Sequence, residues 1–478
     1  RVLFRSPVVT VKTVVPETQP PVEVAVAENK AEPVTPTSVE VDNSKEAKKE
    51  ESTVEYEYSA FSATGSTFIS SILNMTNTII GAGTLSLPST VLDGGIIGAG
   101  LLLVCSLILS LFGAHYLVTA AVYTKEDSYG FIGRKAVNKT VGYIADIFMI
   151  LFDFGISVGY MNISFGQTVD LISNFSGIAL ETVNNHKWWI SLIECFVLVF
   201  PFLCVPTVDA LKWTSAISIV CIIMFVFIAI FLGISQVSSN PLTYHLFPRS
   251  LPDFLSAMSV FFTCLCSHVN IPKMTQELKV PKSTKFASRV QKMDRVDMYS
   301  FLLSTVVYYA VGVCGYLAFG DNVGGNLLDN FTSLNVWYLN IVKIAYSFIA
   351  IFSYPMLSFS PLVSIDKTFF KQPRPTSRRI LEAFIWTLLC FIVTMLIPSL
   401  RTVFSLTGAL CGAVLVFMWP AVFYIFINKR EKAKEHSKRI PLFKASKVSI
   451  VFAWILIVFG AIGAVVLTSL EVKNMIAK

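Results

Sequence analysis

Residues 74–88 read NMTNTIIGAGTLSLP, and this stretch decides the fold because it interrupts a run that is otherwise apolar enough to cross a membrane. Gly81, Gly83 and Pro88 fall within this short window, and glycine and proline both lower helix propensity. Backbone groups that a break sets free are tolerated inside a membrane only where they line a protein cavity. The stretch therefore predicts a broken helix beside a cavity. The alternative is a glycine-rich face that packs against another helix.

The composition indicates a polytopic membrane protein. The chain of 478 residues is 54% hydrophobic and 14% charged, and its mean hydropathy is +0.64, whereas soluble domains carry about 25% charged residues. The net charge of +7 does not indicate a nucleic-acid partner, because lysine and arginine stand in short loops between apolar runs, as membrane topology requires. The nine cysteines show no metal-ligand spacing.

Eleven segments have the roughly 20 mostly apolar residues that a membrane helix needs. Basic residues gather on alternate loops, which places the amino terminus in the cytosol by the positive-inside rule. We therefore predict an all-α polytopic protein with eleven transmembrane helices in a domain of residues 65–470. Residues 471–478 are expected to form a short lumenal or extracellular tail. The predicted spans are residues 66–90, 96–123, 140–173, 188–205, 210–236, 252–274, 297–319, 335–363, 379–398, 402–427 and 447–470.

Residues 1–64 differ in composition from the rest of the chain. Prolines alternate with glutamate and lysine, and aromatic residues are nearly absent before Tyr56. Such a segment cannot bury a core, so we expect a disordered cytosolic tail. The opening RVLFRS is what a common sequencing adaptor encodes, so the first residues are expected to be foreign to the protein.

A second interruption occurs in the sixth span. Residues 258–278 read MSVFFTCLCSHVNIPKMTQEL, with Ser267, His268, Asn270 and Pro272 in an otherwise apolar helix. Transporters built from inverted repeats break corresponding helices in their two halves, and spans one and six correspond in a five-plus-five repeat. Freed N–H groups attract a carboxylate and freed carbonyls attract a cation. An amino acid carries both a carboxylate and an ammonium group, so it suits a site between two such breaks.

Five motifs, in order, resemble the amino acid/auxin permease family over residues 65–470, especially its vacuolar and system A/N-like branches of neutral amino acid transporters. The resemblance implies eleven helices with a LeuT-type five-plus-five inverted repeat, and amino-acid transport driven by protons or sodium. Ser267 departs from the cysteine of the family pattern, and Gln167 stands where relatives often have an acid. The motifs are NTIIGAGTLSLP, SHVNI followed by QEL, GYLAFGDNVGGNLL, FSYPMLSFSP and FSLTGALCGAVLVFMWPAVFYI.

The expected substrate site combines the two breaks with a tyrosine of the third span. His268 is costly in a membrane unless it has a partner or a task, and its alternative role is that of a hydrogen-bonded structural histidine. Tyr160 lies in the stretch FGISVGYMNISFGQ and could bond a carboxylate or simply pack. The predicted substrate-binding residues are Ile80, Gly81, Ala82, Gly83, Thr84, Tyr160, Ser267, His268 and Asn270.

The sequence is compatible with either sodium or the proton as the coupling ion. Sodium sites in this fold use freed carbonyls of the first helix and hydroxyl oxygens of the eighth, so Asn77 and Ser353 could complete an oxygen cage for Na⁺. Alternatively, Asp153 in the third span and His268 could carry H⁺, since an ionisable group at that depth is a functional candidate; Asp153 could equally be a hydrogen-bonded structural acid. We favour the proton, because Tyr354 occupies the place of a hydroxyl neighbour to Ser353. No cofactor besides the coupling ion is expected.

The predicted function is secondary active transport of amino acids by alternating access. An amino-acid sensor that uses the same fold, with the tail as its output, is the alternative. A membrane enzyme is not expected, because the five histidines are scattered and no Walker, zinc or nucleophile-elbow motif is present. The expected partners are a small amino acid and the lipid bilayer, with no nucleic acid. The expected location is a vacuolar, lysosomal or plasma membrane.

Overall fold

A computed structural model gives the fold of the membrane-embedded part of the chain. All regular elements among the described residues are helices. The predicted tail of residues 1–64 lies outside the described part. The described residues are 66–205, 212–237, 244–280, 284–334, 336–370, 374–436 and 441–476.

The first apolar run forms two half-helices joined by a short turn. Helix α1 spans Phe68–Ile79, and the side chain of Thr67 caps it by accepting a hydrogen bond from the Ser70 N–H group. The chain leaves the α-helical path at Ile80 and Gly81, forms a 3₁₀ turn over Ala82–Ser86, and resumes as α2, which has a proline in its first turn. Proline suits this position because its missing N–H is not needed there. Helix α2 spans Leu87–Gly94.

The sixth predicted span is interrupted in the same manner. Helix α10 (Leu251–Cys264) and helix α11 (Ile271–Glu277) are separated by a non-helical turn. A parallel bridge pairs Ser66 with Leu278, so the chain just before α1 lies beside the chain just after α11. The Ser66 N–H donates to the Glu277 carbonyl over 2.7 Å. The two interrupted segments are therefore joined at this end as well as at their breaks.

The other helices follow the apolar runs of the sequence closely. In chain order they are α3 (Ile96–Thr124), α4 (Tyr129–Ala136), α5 (Lys139–Ser176), α6 (Leu180–Asn185), α7 (Lys187–Ile193), α8 (Phe200–Leu203), α9 (Lys212–Val237), α12 (Phe286–Phe319), α13 (Leu327–Ser333), α14 (Trp337–Phe369), α15 (Thr376–Leu396), α16 (Leu400–Thr407), α17 (Trp419–His436) and α18 (Lys447–Ile476). Stretches of π-helix continue α7 into α8 and α16 towards α17.

Eight helices among the described residues are long and apolar enough to cross a membrane. They correspond to the second, third, fifth and seventh to eleventh predicted spans. The first and sixth predicted spans are interrupted, and the helical stretch of the fourth, from Lys187 to Leu203, is shorter than any of the eight. The structure thus supports a polytopic all-helical protein.

Helix α5 contacts the first break. It packs along α14 and also contacts α16 and the 3₁₀ turn between α1 and α2. Helix α12 packs against α1, α2 and α3 on the other side of the breaks. The breaks are therefore surrounded by helices, which supply partners for the backbone groups that are freed there.

Two details differ from the sequence-based expectation. Helix α12 begins at Phe286, well before the predicted residue 297, because its first turns are polar and extend beyond the apolar run. A charged side chain near the end of a membrane helix is expected to extend to the interface, but Lys343 and Glu194 are both buried. The Lys343 ammonium pairs with Asp170, and Glu194 accepts a hydrogen bond from Ser164. Partners on neighbouring helices therefore hold these charged side chains inside the bundle.

Candidate functional site

A small cavity lies where the two interrupted helices meet. Its volume is about 60 Å³, which is room for about four water molecules at the 10–15 Å³ that one water requires. A Cβ atom on Gly83 would stand 2.7 Å from the Cys264 sulfur, so glycine lets the two breaks approach this closely. The cavity is lined by Thr78, Ile79, Gly81, Ala82, Gly83, Phe152, Asp153, Ile156, Tyr160, Thr263, Cys264, Cys266, Val269, Asn270, Tyr308, Leu357 and Phe404.

The cavity has an exposed polar edge on the α1 side. Thr78 lines the cavity and is exposed, as is Asn74 one turn earlier on the same helix. The Thr78 hydroxyl donates to the Asn74 carbonyl over 2.9 Å. Polar side chains inside a membrane protein face a water-filled passage rather than lipid. We therefore expect water to reach the cavity along the amino-terminal half of the broken helix.

Three tyrosine hydroxyls from three helices surround the first break. The Tyr160 hydroxyl of α5 accepts a hydrogen bond from the Ala82 N–H group over 3.4 Å. The Tyr308 hydroxyl of α12 donates to the Ile79 carbonyl, and the Tyr346 hydroxyl of α14 lies 3.5 Å from the Thr84 hydroxyl. Backbone groups freed by the break are thus satisfied by side chains. Because the contact to Ala82 is long, an incoming carboxylate could replace the tyrosine there.

Asp153 is the acidic side chain that lines the cavity. It is 3% exposed, and its Oδ2 atom has no hydrogen-bond partner among the described residues. An unpaired carboxylate is costly in such an environment. The position therefore suits either a bound proton or contact with a positively charged group in the cavity.

The predicted substrate-binding residues fall into two groups. Gly81, Ala82, Gly83, Tyr160 and Asn270 line the cavity together with Asp153. Ile80, Thr84, Ser267 and His268 are buried but stand outside the cavity wall.

The predicted sodium ligands also stand outside the wall. Asn77 is half-buried, and its side-chain oxygen has no partner among the described residues. Ser353 is half-buried and interacts with the Tyr160 hydroxyl. Ser353 is thus linked to the cavity through one tyrosine.

His268 points towards α3. Its ring is fully buried, its Nε2 atom lies 3.0 Å from the Ser110 carbonyl oxygen, and its ring centre is 5.8 Å from that of Phe301. The Nδ1 atom has no partner among the described residues. His268 thus fixes the turn between α10 and α11 against a neighbouring helix, while Asn270 of the same turn faces the cavity.

Replacing His268 with alanine is expected to change the affinity or the pH dependence of transport, because the turn that presents Asn270 loses its anchor on α3. Uptake measured against substrate concentration and external pH checks this. His186, an exposed histidine whose Nδ1 lies 3.0 Å from the Thr182 carbonyl, provides the control variant His186→Ala. A His268→Ala protein with the affinity and pH profile of the parent would show that this histidine does not position Asn270.

Tyr308 and Tyr346 were not predicted as site residues. Both stand in apolar runs, where tyrosine usually packs, and no short-range pattern separates them from other core aromatics. Their role depends on contacts with a segment more than 200 residues earlier in the chain. The one available signal was the hydroxyl itself, because a buried tyrosine hydroxyl normally needs a partner.

Comparison with known proteins fits this geometry. The sequence model of the family described as "Transmembrane amino acid transporter protein" matches residues 64–467, which include both breaks and the whole cavity wall. The chain belongs to this transmembrane amino acid transporter family. It is the amino acid/auxin permease family that the motifs resemble, so that prediction is confirmed. The chain is a multi-pass membrane protein of a family of transporters and not of enzymes.

Individual relatives are distant but match over most of their length. The chain is 25% identical to amino acid transporter AVT6E of Arabidopsis thaliana, over 86% of this chain and 85% of that protein. It is 24% identical to vacuolar amino acid transporter 5 of Schizosaccharomyces pombe, over 85% and 95% respectively. It is also 24% identical to sodium-coupled neutral amino acid transporter 7 of Danio rerio, over 83% and 85%.

Proposed function

We propose that this chain is a secondary active transporter of amino acids that works by alternating access. The observation that carries the proposal is the cavity where two interrupted helices meet, because it brings backbone groups of both breaks together with one buried acid, Asp153. Half-helix ends offer N–H groups to a carboxylate and carbonyls to a cation. Such a cavity fits the backbone of an amino acid.

In the bound state, the substrate carboxylate contacts the N–H groups of Ala82 and Gly83 and displaces the Tyr160 hydroxyl. The ammonium group lies on the side of Asn270 and contacts carbonyls freed at the breaks. Phe152, Ile156 and Leu357 give the cavity an apolar wall, so the proposed substrates are neutral amino acids. Two of the relatives carry the word "neutral" in their names, which supports the same class.

The proposed architecture has eleven membrane-spanning segments. Three of them are interrupted or shorter than the other eight, namely α1 with α2, α7 with α8, and α10 with α11. The equivalent interruptions in the first and sixth segments support a LeuT-type five-plus-five inverted repeat. In this arrangement the amino terminus is cytosolic and the carboxyl terminus is lumenal or extracellular.

The exposed edge at Asn74 and Thr78 then faces the cytosol, so the described conformation opens inwards. The opposite side is closed by an ion pair between Asp93 of α2 and Arg401 of α16. Relatives named as vacuolar and as sodium-coupled support a vacuolar, lysosomal or plasma membrane as the location.

The coupling ion is proposed to be the proton, with Asp153 as the group that carries it. Sodium remains the second candidate, because two relatives are named as sodium-coupled. Sodium would need the oxygens of Asn77 and Ser353, and hard cations require several such ligands. The unpartnered Asp153 carboxyl inside the cavity favours the proton.

Asp153→Asn is expected to abolish accumulation driven by a proton gradient, because the amide cannot gain or lose a proton at this position. Exchange of labelled for unlabelled substrate is expected to persist. The measurement is uptake into liposomes with a proton or a sodium gradient imposed alone, in parent, Asp153→Asn and Asn77→Ala proteins. The proton proposal fails if sodium alone drives accumulation in the parent and Asn77→Ala removes that dependence.

The same liposomes test transport itself. A panel of labelled neutral amino acids is offered to the purified full chain under each gradient, and binding is measured in parallel by the thermal stabilisation that each amino acid produces. Accumulation above empty liposomes supports the transporter. Binding without accumulation of any amino acid would instead identify a sensor.

A further inference from the structure

The hydroxyl of Tyr308 stands between the broken ends of both interrupted helices. It donates to the carbonyl of Ile79, the last residue of α1, and it lies 3.2 Å from the carbonyl oxygen of Cys264, the last residue of α10. Tyr308 is 1% exposed and also lines the cavity. One side chain from α12 therefore touches the amino-terminal half of each broken helix and the proposed substrate space.

Neither carbonyl has a partner one helical turn further on, because each helix ends at that point. The Ile79 carbonyl also accepts from the Gly81 N–H group over 2.8 Å, and the Tyr308 hydroxyl is the contact that the Ile79 and Cys264 carbonyls share. Losing such a contact is costly in a low-dielectric interior. The single O–H group serves the two oxygens together and supplies the positive contact that freed carbonyls attract, without adding a net charge. Consequently the spacing between the ends of α1 and α10 depends on this hydroxyl.

The surrounding contacts locate this effect at the substrate site. Gly83 approaches the Cys264 sulfur so closely that the two breaks touch, and Tyr160 and Tyr346 lie near the Tyr308 ring. A shift of Ile79 relative to Cys264 therefore moves Gly81 and Ala82, which immediately follow Ile79 and line the same cavity. The distance between the two helix ends sets the width of the site.

We propose that Tyr308 is a positioning residue for substrate binding, whose hydroxyl holds the two helix breaks at the separation that fits an amino-acid backbone. The inference rests on the proposed transport function and adds a residue on α12 to the site. It acts through Ile79 and Cys264, so its removal weakens binding of substrate more than it slows the movement of the loaded transporter.

The test is Tyr308→Phe, which removes one oxygen and keeps the ring. Tyr309→Phe is the matched control, because Tyr309 is the next residue of α12 and its hydroxyl donates to the Ile96 carbonyl over 3.2 Å, outside the cavity. The KM for uptake is expected to rise about tenfold in Tyr308→Phe, the effect of losing one such hydrogen bond. The maximal rate is expected to stay within about twofold, as for loss of uniform binding.

A second measurement does not depend on transport. The purified parent and Tyr309→Phe proteins are expected to be stabilised against heat equally at each amino-acid concentration, and Tyr308→Phe is expected to need about tenfold more amino acid for the same stabilisation. A parent-like KM in Tyr308→Phe, or equal changes in both variants, would overturn the inference. Failure of Tyr308→Phe alone to accumulate as a folded protein would overturn it too, since the hydroxyl would then be structural. A parent that binds but transports no amino acid defeats the transport proposal and leaves this binding test intact.

Discussion

Replacing Gly81 with leucine is expected to reduce amino-acid uptake to background while the protein still folds and inserts into the membrane. A Cβ atom at this position would lie 2.7 Å from the Tyr160 hydroxyl, and the rest of the side chain would enter a cavity of only about 60 Å³. The contacted atom is the end of a side chain that can move, so the clash blocks the site more than it disrupts the fold. Uptake into liposomes at matched amounts of folded protein measures the effect.

Gly166→Leu is the control for this substitution. Gly166 lies on α5, the helix that carries Tyr160, and a Cβ atom there would meet no heavy atom within 4 Å. Uptake by this variant is expected to stay within about twofold of the parent, as for surface changes away from a packed site. If Gly81→Leu and Gly166→Leu transport equally well, the substrate does not bind at the first break.

The two helix breaks were predictable from sequence because their cause is local. Glycine and proline act on the backbone where they stand, so NMTNTIIGAGTLSLP predicted the interruption after Ile79, and SHVNIP predicted the turn before Ile271. The long helices were predictable for a similar reason, since each needs a continuous apolar run. Their polar ends were less predictable, as the early start of α12 at Phe286 illustrates.

Side-chain directions at the breaks were not predictable. Ser267, His268 and Asn270 stand together in the sequence, yet only Asn270 lines the cavity while His268 contacts α3. Periodicity assigns faces within a helix or a strand, and a non-helical turn has no such period. The direction of each side chain there is set by tertiary contacts.

Contacts between side chains that are distant in sequence were not predictable either. Lys343 lies in an apolar run, and its partner Asp170 is 173 positions earlier in the chain. From sequence alone, a long cationic side chain near the end of a membrane helix is expected to extend to the interface. The structure instead places it in a buried ion pair, and this leads to a strong prediction about stability.

Replacing Lys343 with methionine is expected to destabilise the folded protein by about 3–5 kcal/mol, the usual effect of removing one partner from a buried ion pair. Lys343 is 1% exposed, and its ammonium lies 3.2 Å from the Asp170 carboxylate on α5 and also contacts Thr332 of α13. Methionine keeps much of the volume and leaves the carboxylate without its cation. The measurement is the thermal unfolding midpoint of the purified protein in detergent, which is expected to fall by at least about 5 °C.

The loss of stability caused by Lys343→Met is expected to be smaller at pH 5 than at pH 7.5. Burial raises the pKa of Asp329 in α13 to about 6, and the negative charge of nearby Asp170 contributes to this rise. The positive charges of Lys187 and Lys343 oppose it. A carboxyl group whose pKa is raised on folding binds more protons in the folded state, so its destabilising effect grows as the pH rises through the interval from about 4 to 6. Removing Lys343 takes away one opposing cation and raises this pKa further. Protonation of Asp329 at pH 5 then removes one of the negative charges near the unpaired Asp170 carboxylate.

Arg249→Met is the matched control, because Arg249 forms an ion pair with Asp321 in which both side chains are largely exposed, at 45% and 43%. Exposed pairs contribute about 0–1 kcal/mol, so this variant is expected to unfold within about 2 °C of the parent. The double variant Lys343→Met/Asp170→Asn lacks both charges. Its unfolding midpoint is expected to lie well above that of Lys343→Met alone, since the two side chains are directly coupled. Equal midpoints for Lys343→Met and Arg249→Met would show that the buried pair does not stabilise this fold. A double variant no more stable than Lys343→Met would show that Asp170 is not the group left unpaired.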